Sequence, residues 1–229
     1  MIEKNLSLVQ KEVIVEYDEE GEIKKYPSLE LVRIEKKFFN IHKDNSKILE
    51  YGFGGGCNTE ALLDQGHEIY GIDVSKAALN TTKRRFIGKE AKIKDRLHLS
   101  LINSETKRLD FEDNYFDYIV AMSVLSLLGS EERIRLLLEE FKRVLKKGGR
   151  LVLDINDQDS EFSKGKKELE KNVFLAGPYG DKLRCYCLKT ENDFKSLIED
   201  FFLIKDSGYS CHKLFGRRIN EWIICAEKS

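Results

Sequence analysis

The stretch Lys47 to Asn58, KILEYGFGGGCN, constrains this chain more than any other. A short apolar strand, Ile48-Leu49, runs into an acid, Glu50, and then into Gly52, Gly54, Gly55 and Gly56. A helical pattern follows from Thr59. Glycine carries no Cβ, so a turn of this kind brings the backbone close to a ligand. The helix behind it presents free N–H groups. Further on, a second apolar strand, Ile69 to Ile72, ends in Asp73. An acid at that distance reaches the hydroxyls of a ribose held over the turn. The plain alternative is a turn that only joins strand to helix.

Glycine spacing separates the two cofactor classes that use this layout. Dinucleotide-binding chains carry G-x-G-x-x-G, suited to a pyrophosphate. Here the spacing is G-x-G-x-G at Gly52, Gly54 and Gly56, and Cys57 stands where the third dinucleotide glycine belongs. Glu50 also suits a cationic ligand better than a pyrophosphate. The segment resembles the first motif of the class I S-adenosylmethionine-dependent methyltransferases, an acid followed by x-G-x-G-x-G. That resemblance implies an α/β, three-layer Rossmann-like methyltransferase fold. Its sheet is seven-stranded and mostly parallel, with an antiparallel strand seven between strands five and six. It implies S-adenosyl-L-methionine as cofactor and S-adenosyl-L-homocysteine as product. The expected cofactor cradle is Glu50, Gly52, Gly54, Gly56, Asn58 and Asp73. Two other readings stay open: a protein that binds the cofactor without turnover, and a nicotinamide-dependent oxidoreductase, which Cys57 argues against.

With 229 residues, the chain is long enough for one domain with an appendage. Its net charge of −1 leaves no basic footprint for nucleic acid. No apolar run reaches the roughly eighteen residues of a membrane span. The N-terminus has charges where a signal peptide needs an apolar stretch. Five cysteines, Cys57, Cys185, Cys187, Cys211 and Cys225, are odd in number and irregularly spaced; Cys185-x-Cys187 is not C-x-x-C, and no second pair completes a zinc site. Reduced thiols in a cytoplasmic protein are expected. The expected partner is a small-molecule substrate, with neither nucleic acid nor membrane, and the chain is expected to be a monomer or homodimer.

Residues 1–46 read as an N-terminal arm and cap helix. Val13 to Val15 and Ile23 to Tyr26 flank Asp18-Glu19-Glu20-Gly21, a hairpin turn. Ser28 then caps a helix reaching about Asn40. YPSLELVR resembles the Y-P-x-x-x-x-V-R entry of some small-molecule methyltransferases, whose helix closes over the cofactor. The resemblance suggests that Arg33 pairs with the cofactor carboxylate; the plain reading is a solvated helix charge.

Residues 47–229 read as the methyltransferase domain, because strands and helices alternate as in a parallel sheet. A helix from Thr59 to Gln65 ends at Gly66, and Ser75 caps another reaching about Phe86. His98 to Ile102 is strand three. In the resembled family an acid after this strand accepts from the adenine amino group. Register places Glu105 there with Thr106 beside it, and Asn103 if the register slips by two. Leu109 to Asp117 resembles the family's L-P-F-x-D-x-x-F-D approach to strand four, here Tyr118 to Met122. Strand C-terminal ends line the ligand crevice, so Ser123 to Ser126 should face the methyl donor. Ser130 caps the next helix, Lys146-Lys147-Gly148-Gly149 ends it, and Arg150 to Ile155 is strand five.

A substrate-facing insertion is expected at about 156–190. Lys164 to Lys171 reads as a solvated helix or loop, Ala176 to Gly180 as a turn, and Leu183 to Leu188 as a strand. Thr190 caps a helix over Glu191 to Asp200. Phe201 to Lys205 and Glu221 to Ala226 read as strands six and seven, joined by a long loop, Ser207 to Asn220. That loop supplies His212, the candidate general base, whose plain alternative is a surface or core-edge histidine. Tyr179 and Tyr209 are candidates to line the acceptor pocket. Arg217 and Arg218 either hold an anionic acceptor or solvate the loop. There is no N-P-P-Y segment for base amines and no Pro-Cys pair for a cysteine nucleophile. With a near-neutral chain, these absences favour a small soluble acceptor over DNA or RNA. The resemblance implies an oxygen, nitrogen or carbon acceptor, and the reading taken is an oxygen of a polar metabolite or sugar.

Overall fold

Alternating strands and capped helices assemble into a main sheet covered on both faces, and a second sheet of three strands stands beside it. The computed structural model describes residues 6–10, 26–39, 45–175, 183–214 and 217–229. Its first half runs α1 (Leu29–Phe38), β1 (Lys47–Tyr51), α2 (Cys57–Asp64), β2 (Glu68–Asp73), α3 (Lys76–Arg85), α4 (Glu90–Ile93), β3 (Leu97–Leu101) and β4 (Phe116–Ala121). A 3₁₀ turn (Leu125–Leu128) leads into α5 (Glu131–Val144) and β5 (Leu145–Asn156). There follow β6 (Lys167–Glu170), β7 (Val173–Leu175), β8 (Arg184–Tyr186), α6 (Glu191–Glu199), β9 (Leu203–Leu214) and β10 (Arg217–Glu227). The main sheet has seven strands in the order β3-β2-β1-β4-β5-β10-β9. Strands β1 to β5 pair in parallel. The seventh sheet strand, β10, is antiparallel to both β5 and β9. This is the Rossmann-like order that the resemblance implied.

Helix starts follow from local chemistry. The side chains of Ser28, Ser75, Ser130 and Thr190 each accept a backbone N–H three residues on, at 3.1–3.3 Å. Each replaces a bond that a helix end otherwise lacks. Gly66 (φ +93°) closes α2 in the left-handed region that glycine tolerates.

Strand alternation then sorts the core into two layers. On one face Leu49, Ile119, Leu151 and Leu153 pack with Leu137 and Phe141 of α5 and Phe194 of α6. On the other, Ile48, Val120 and Val152 pack with Leu31 of α1 and Leu62 of α2. Each such side chain contributes about 1.5–3 kcal/mol on burial. Residues 6–10 dock on the first layer. Leu8 N–H donates to the Thr106 carbonyl at 2.7 Å, and Gln10 Nε2 donates to the carbonyls of Leu127 (2.5 Å) and Arg184 (2.8 Å).

Several boundaries differ from the sequence reading. The described residues of 207–220 are not a loop: β9 reaches Leu214 and β10 starts at Arg217 as paired strands, with Tyr209 opposite Trp222 and Ser210 opposite Glu221. Their polar residues hide the strand pattern, because the pairing comes from the partner strand rather than from an apolar alternation. Lys167–Glu170, expected as solvated helix or loop, is a strand with all four residues exposed. Its neighbour β7 supplies the buried Val173 and Phe174. Lys146 to Gly149 does not separate α5 from β5, which starts at Leu145. Gly148 N–H donates to Lys228 O and Lys228 N–H to Gly149 O, at 2.8 and 2.9 Å. Helix α2 begins at Cys57, two residues before the expected start. The proposed hairpin through Val13 to Ile23 and the turn at Ala176 to Gly180 lie outside the described residues.

Candidate functional site

The carboxyl ends of β1 and β2 meet at the glycine turn. Gly52, Gly54 and Gly56 have φ of +82°, +52° and +77°, a region that an L side chain enters at a cost. A Cβ at Gly52 would stand 2.4 Å from Val124 Cγ2, and one at Gly56 2.7 Å from Thr82 Cγ2. The turn's carbonyls are bonded from α3: Thr82 Oγ1 donates to Gly54 O and Arg85 Nε to Gly55 O, both at 2.7 Å. Asp73 closes the turn from β2. One of its oxygens accepts from Gly54 N–H at 2.9 Å and the other from Ser75 N–H at 2.8 Å. Burial raises the Asp73 carboxyl, and those backbone bonds oppose the rise. Gly56 is the N-cap of α2, and no side chain caps that helix. The turn and the helix end form an N–H-rich rim beside a fixed carboxylate.

Glu50 lies beneath the turn. It is buried, its Oε2 accepts from Thr59 Oγ1 at 2.5 Å, and desolvation pushes its carboxyl up to about 8. Asn58, expected at the cofactor, uses its Oδ1 to accept Ser28 N–H at 2.9 Å. This bond ties the start of α1 to the start of α2.

A second group of side chains gathers at the carboxyl ends of β4, β5 and β9 and in the amino-terminal half of the antiparallel β10. Ser123, at φ +59°, points its N–H at Asp154 Oδ1, 2.6 Å away. Ser123 Oγ lies 3.4 Å from Glu221 Oε1. Glu30, in the first turn of α1, accepts from Ser210 Oγ at 2.8 Å and lies 3.3 Å from His212 Nε2. Ser210 and His212 are themselves 2.9 Å apart. Asp154 is 1 % exposed, and burial with the nearby charges of Glu221 and Glu30 raises its carboxyl well above the usual range.

The glycines, Glu50, Asn58 and Asp73 therefore come together as the sequence suggested. Glu105 is exposed in the loop after β3, where its backbone N–H donates to Asn103 Oδ1 at 2.8 Å. Thr106 keeps its hydroxyl in the same loop, 3.2 Å from Asn103 N. Arg33 is exposed on α1. Tyr209 donates to Asp157 Oδ2 at 2.6 Å and packs on the Trp222 ring, so it braces β9 against the segment after β5. Arg218 faces Asp159 and Asn220. Tyr179 lies outside the described residues. The sequence reading missed Glu30, Asp154, Ser210 and Glu221. The available signal was Asp154 itself, an acid inside the apolar run Leu151 to Ile155 at the crevice end of a strand.

Residues 49–153 match the family model described as a methyltransferase domain. An uncharacterized protein of Methanocaldococcus jannaschii is 27 % identical over 168 residues, which covers 73 % of this chain and 66 % of the relative. A demethylmenaquinone methyltransferase of Paenarthrobacter aurescens is 31 % identical over 132 residues, or 58 % of this chain and 45 % of the relative. The match thus spans between about half and two-thirds of the length of these relatives. Among solved structures, an S-adenosylmethionine-dependent methyltransferase from Methanosarcina mazei superposes with a TM-score of 0.69 at 22 % identity, covering 83 % of this chain and 97 % of that one. Glycine turn, bonded aspartate and strand order agree with that match: residues 49–153 are similar to the methyltransferase domain family, and the chain has the fold of the class I S-adenosylmethionine-dependent methyltransferases.

Proposed function

We propose that this protein transfers the methyl group of S-adenosyl-L-methionine to a small-molecule acceptor, at an oxygen of a polar metabolite or sugar. The observation that carries the donor half is the Asp73–Gly54 bond, which joins the ribose-binding acid to the glycine turn. The cradle fits the cofactor. Side chains are excluded at Gly52 and Gly56, the α2 end is uncapped, and the Asp73 carboxylate keeps acceptor capacity beyond its backbone bonds for a ribose hydroxyl. Glu105 with Thr106, or Asn103, takes the adenine end, and Arg33 reaches the cofactor carboxylate from α1. Glu50 supports the turn from below.

When bound, the cofactor supplies a methyl on a cationic sulfur, already activated for in-line transfer. The chain's residues then have to align the acceptor and keep water out. Orientation of this kind contributes roughly 7–11 kcal/mol in good cases. His212, set beside Glu30 and Ser210, is the group that takes the hydroxyl proton. A positioned base adds about 10²–10⁴-fold. Residues 1–46 serve as arm and cap helix, and 156–190 as the acceptor-facing insertion. The acids at the crevice favour a polar acceptor over an apolar one.

Parallel calorimetric titrations with S-adenosylmethionine, S-adenosylhomocysteine and NAD test the donor. Micromolar binding of the two adenosyl compounds and none of NAD is expected, and binding of NAD alone would overturn the reading. Release of S-adenosylhomocysteine with a panel of sugars and polyols tests the acceptor.

A further inference from the structure

We infer that the acceptor carries an ammonium group, as an amino sugar or amino alcohol does, and that Asp154 and Glu221 hold it. The inference rests on the methyltransferase reading above and narrows its acceptor.

Three carboxylates reach one place from three elements: Glu30 from α1, Asp154 from β5 and Glu221 from β10. Antiparallel pairing sets Ile223 opposite Asp154 and Asn156 opposite Glu221, so Asp154 and Glu221 are diagonal neighbours on one sheet face. Ser123 touches both, through its N–H to Asp154 and its hydroxyl to Glu221. Ser210 lies opposite Glu221 on β9 and links this pair to Glu30.

Asp154 gives the cluster a direction. Its Oδ2 is buried and finds no hydrogen-bond partner among the described residues. A buried polar atom left this way is costly, and it invites a donor from a ligand or an ordered water. The charged groups acting on Asp154 are both acids, Glu221 and Glu30. Repulsion and burial favour a proton on Asp154 in the empty site. An incoming ammonium reverses that preference, since it brings a positive charge and up to three donors. A hydroxyl in the same place brings a donor and no charge.

The same pairing explains why oxygen takes the methyl. An ammonium held between carboxylates stays protonated and has no lone pair to attack a methyl carbon. The neighbouring hydroxyl keeps its lone pairs and lies on the His212 side of the cluster.

The test is calorimetric titration of the S-adenosylhomocysteine-loaded protein with glucosamine against glucose, and with ethanolamine against ethylene glycol. Each amine should bind at least tenfold more tightly than its neutral counterpart. Asp154→Asn and Glu221→Gln should each remove most of that preference while affinity for S-adenosylhomocysteine stays the same. Equal or tighter binding of the neutral compounds overturns the inference. So does failure of both amines to bind, or a preference that survives in both variants. A further contrary result is that Asp154→Asn weakens S-adenosylmethionine and not S-adenosylhomocysteine, which would assign the acids to the donor's sulfonium. If the wild-type protein fails to bind S-adenosylhomocysteine, the underlying methyltransferase reading fails instead.

Discussion

Asp73 Oδ2 accepts the backbone N–H of Gly54 at 2.9 Å, so the acid ending β2 and the turn ending β1 are one unit. Replacing Asp73 by alanine removes the carboxylate proposed to meet the ribose and releases the turn's N–H together. Hydrogen bonds to a charged group are worth about 1.5–3 kcal/mol. Asp73→Ala should therefore weaken S-adenosylmethionine binding by at least about tenfold in calorimetry. Unchanged affinity would remove Asp73 from the site.

Gly56 bears a different load, because its constraint is steric. It combines a φ of +77° with a would-be Cβ 2.7 Å from Thr82 Cγ2, and Thr82 cannot retreat without losing its bond to Gly54 O. A non-glycine residue held in this region costs of order 1–3 kcal/mol. Gly56→Ala should lower the urea midpoint by a corresponding amount, and Gly148→Ala serves as a comparison. Gly148 shares a positive φ, at +71°, but a Cβ there meets nothing within 4 Å. Equal losses in the two variants would show that backbone strain alone matters.

Legibility in the sequence followed the range of the interactions. The caps Ser28, Ser75, Ser130 and Thr190 act over three residues, and each was readable as a helix start. The proposed donor cradle was readable because Glu50, the glycines and Asp73 sit at the ends of two successive strands. The acid cluster was not, since Glu30, Asp154 and Glu221 come from distant segments that only the sheet order brings together. Nor was the β9–β10 ribbon, whose polar residues are strand by virtue of their partners. His212 was singled out as a loop residue, yet it is a strand residue held beside Glu30.

Position on β9 gives His212 a testable role. Its Nε2 faces both Ser210 and Glu30, and a carboxylate beside an imidazole orients the ring. His212→Ala should lower kcat about 10²-fold or more with a hydroxyl acceptor while the cofactor affinity is kept. A kcat within about twofold of wild type would make it a surface histidine.

Asn58 connects cap helix to cradle through one bond. Its Oδ1 accepts Ser28 N–H at 2.9 Å, where no residue of α1 can supply an acceptor. Asn58→Ala should release the start of α1 at a cost of about 1 kcal/mol, seen as faster amide exchange over Leu29 to Val32. If Asn58 also touched the cofactor, affinity would fall by more than that cost explains. The comparison of exchange and calorimetry in one variant separates the two roles.

Glu50 contributes to the pH dependence of stability. Its carboxyl ordinarily titrates near 4.5, and burial raises it to about 8 in the folded state. The folded chain therefore holds a proton that the unfolded chain has lost. Stability from this group is complete below about pH 4.5 and is lost as pH rises towards about 8. Asp73 and Asp154 are raised as well and act in the same direction. The slope for one such group is at most about 1.4 kcal/mol per pH unit. Glu50→Gln cannot ionise, and its amide can still meet Thr59. Its melting temperature should fall less than that of wild type between pH 5 and pH 8, a window taken from the raised carboxyl. A wild-type slope unchanged by this substitution would mean that Glu50 is ionised in the folded protein. Thr59 and the nearby helix end would then be enough to hold a buried charge.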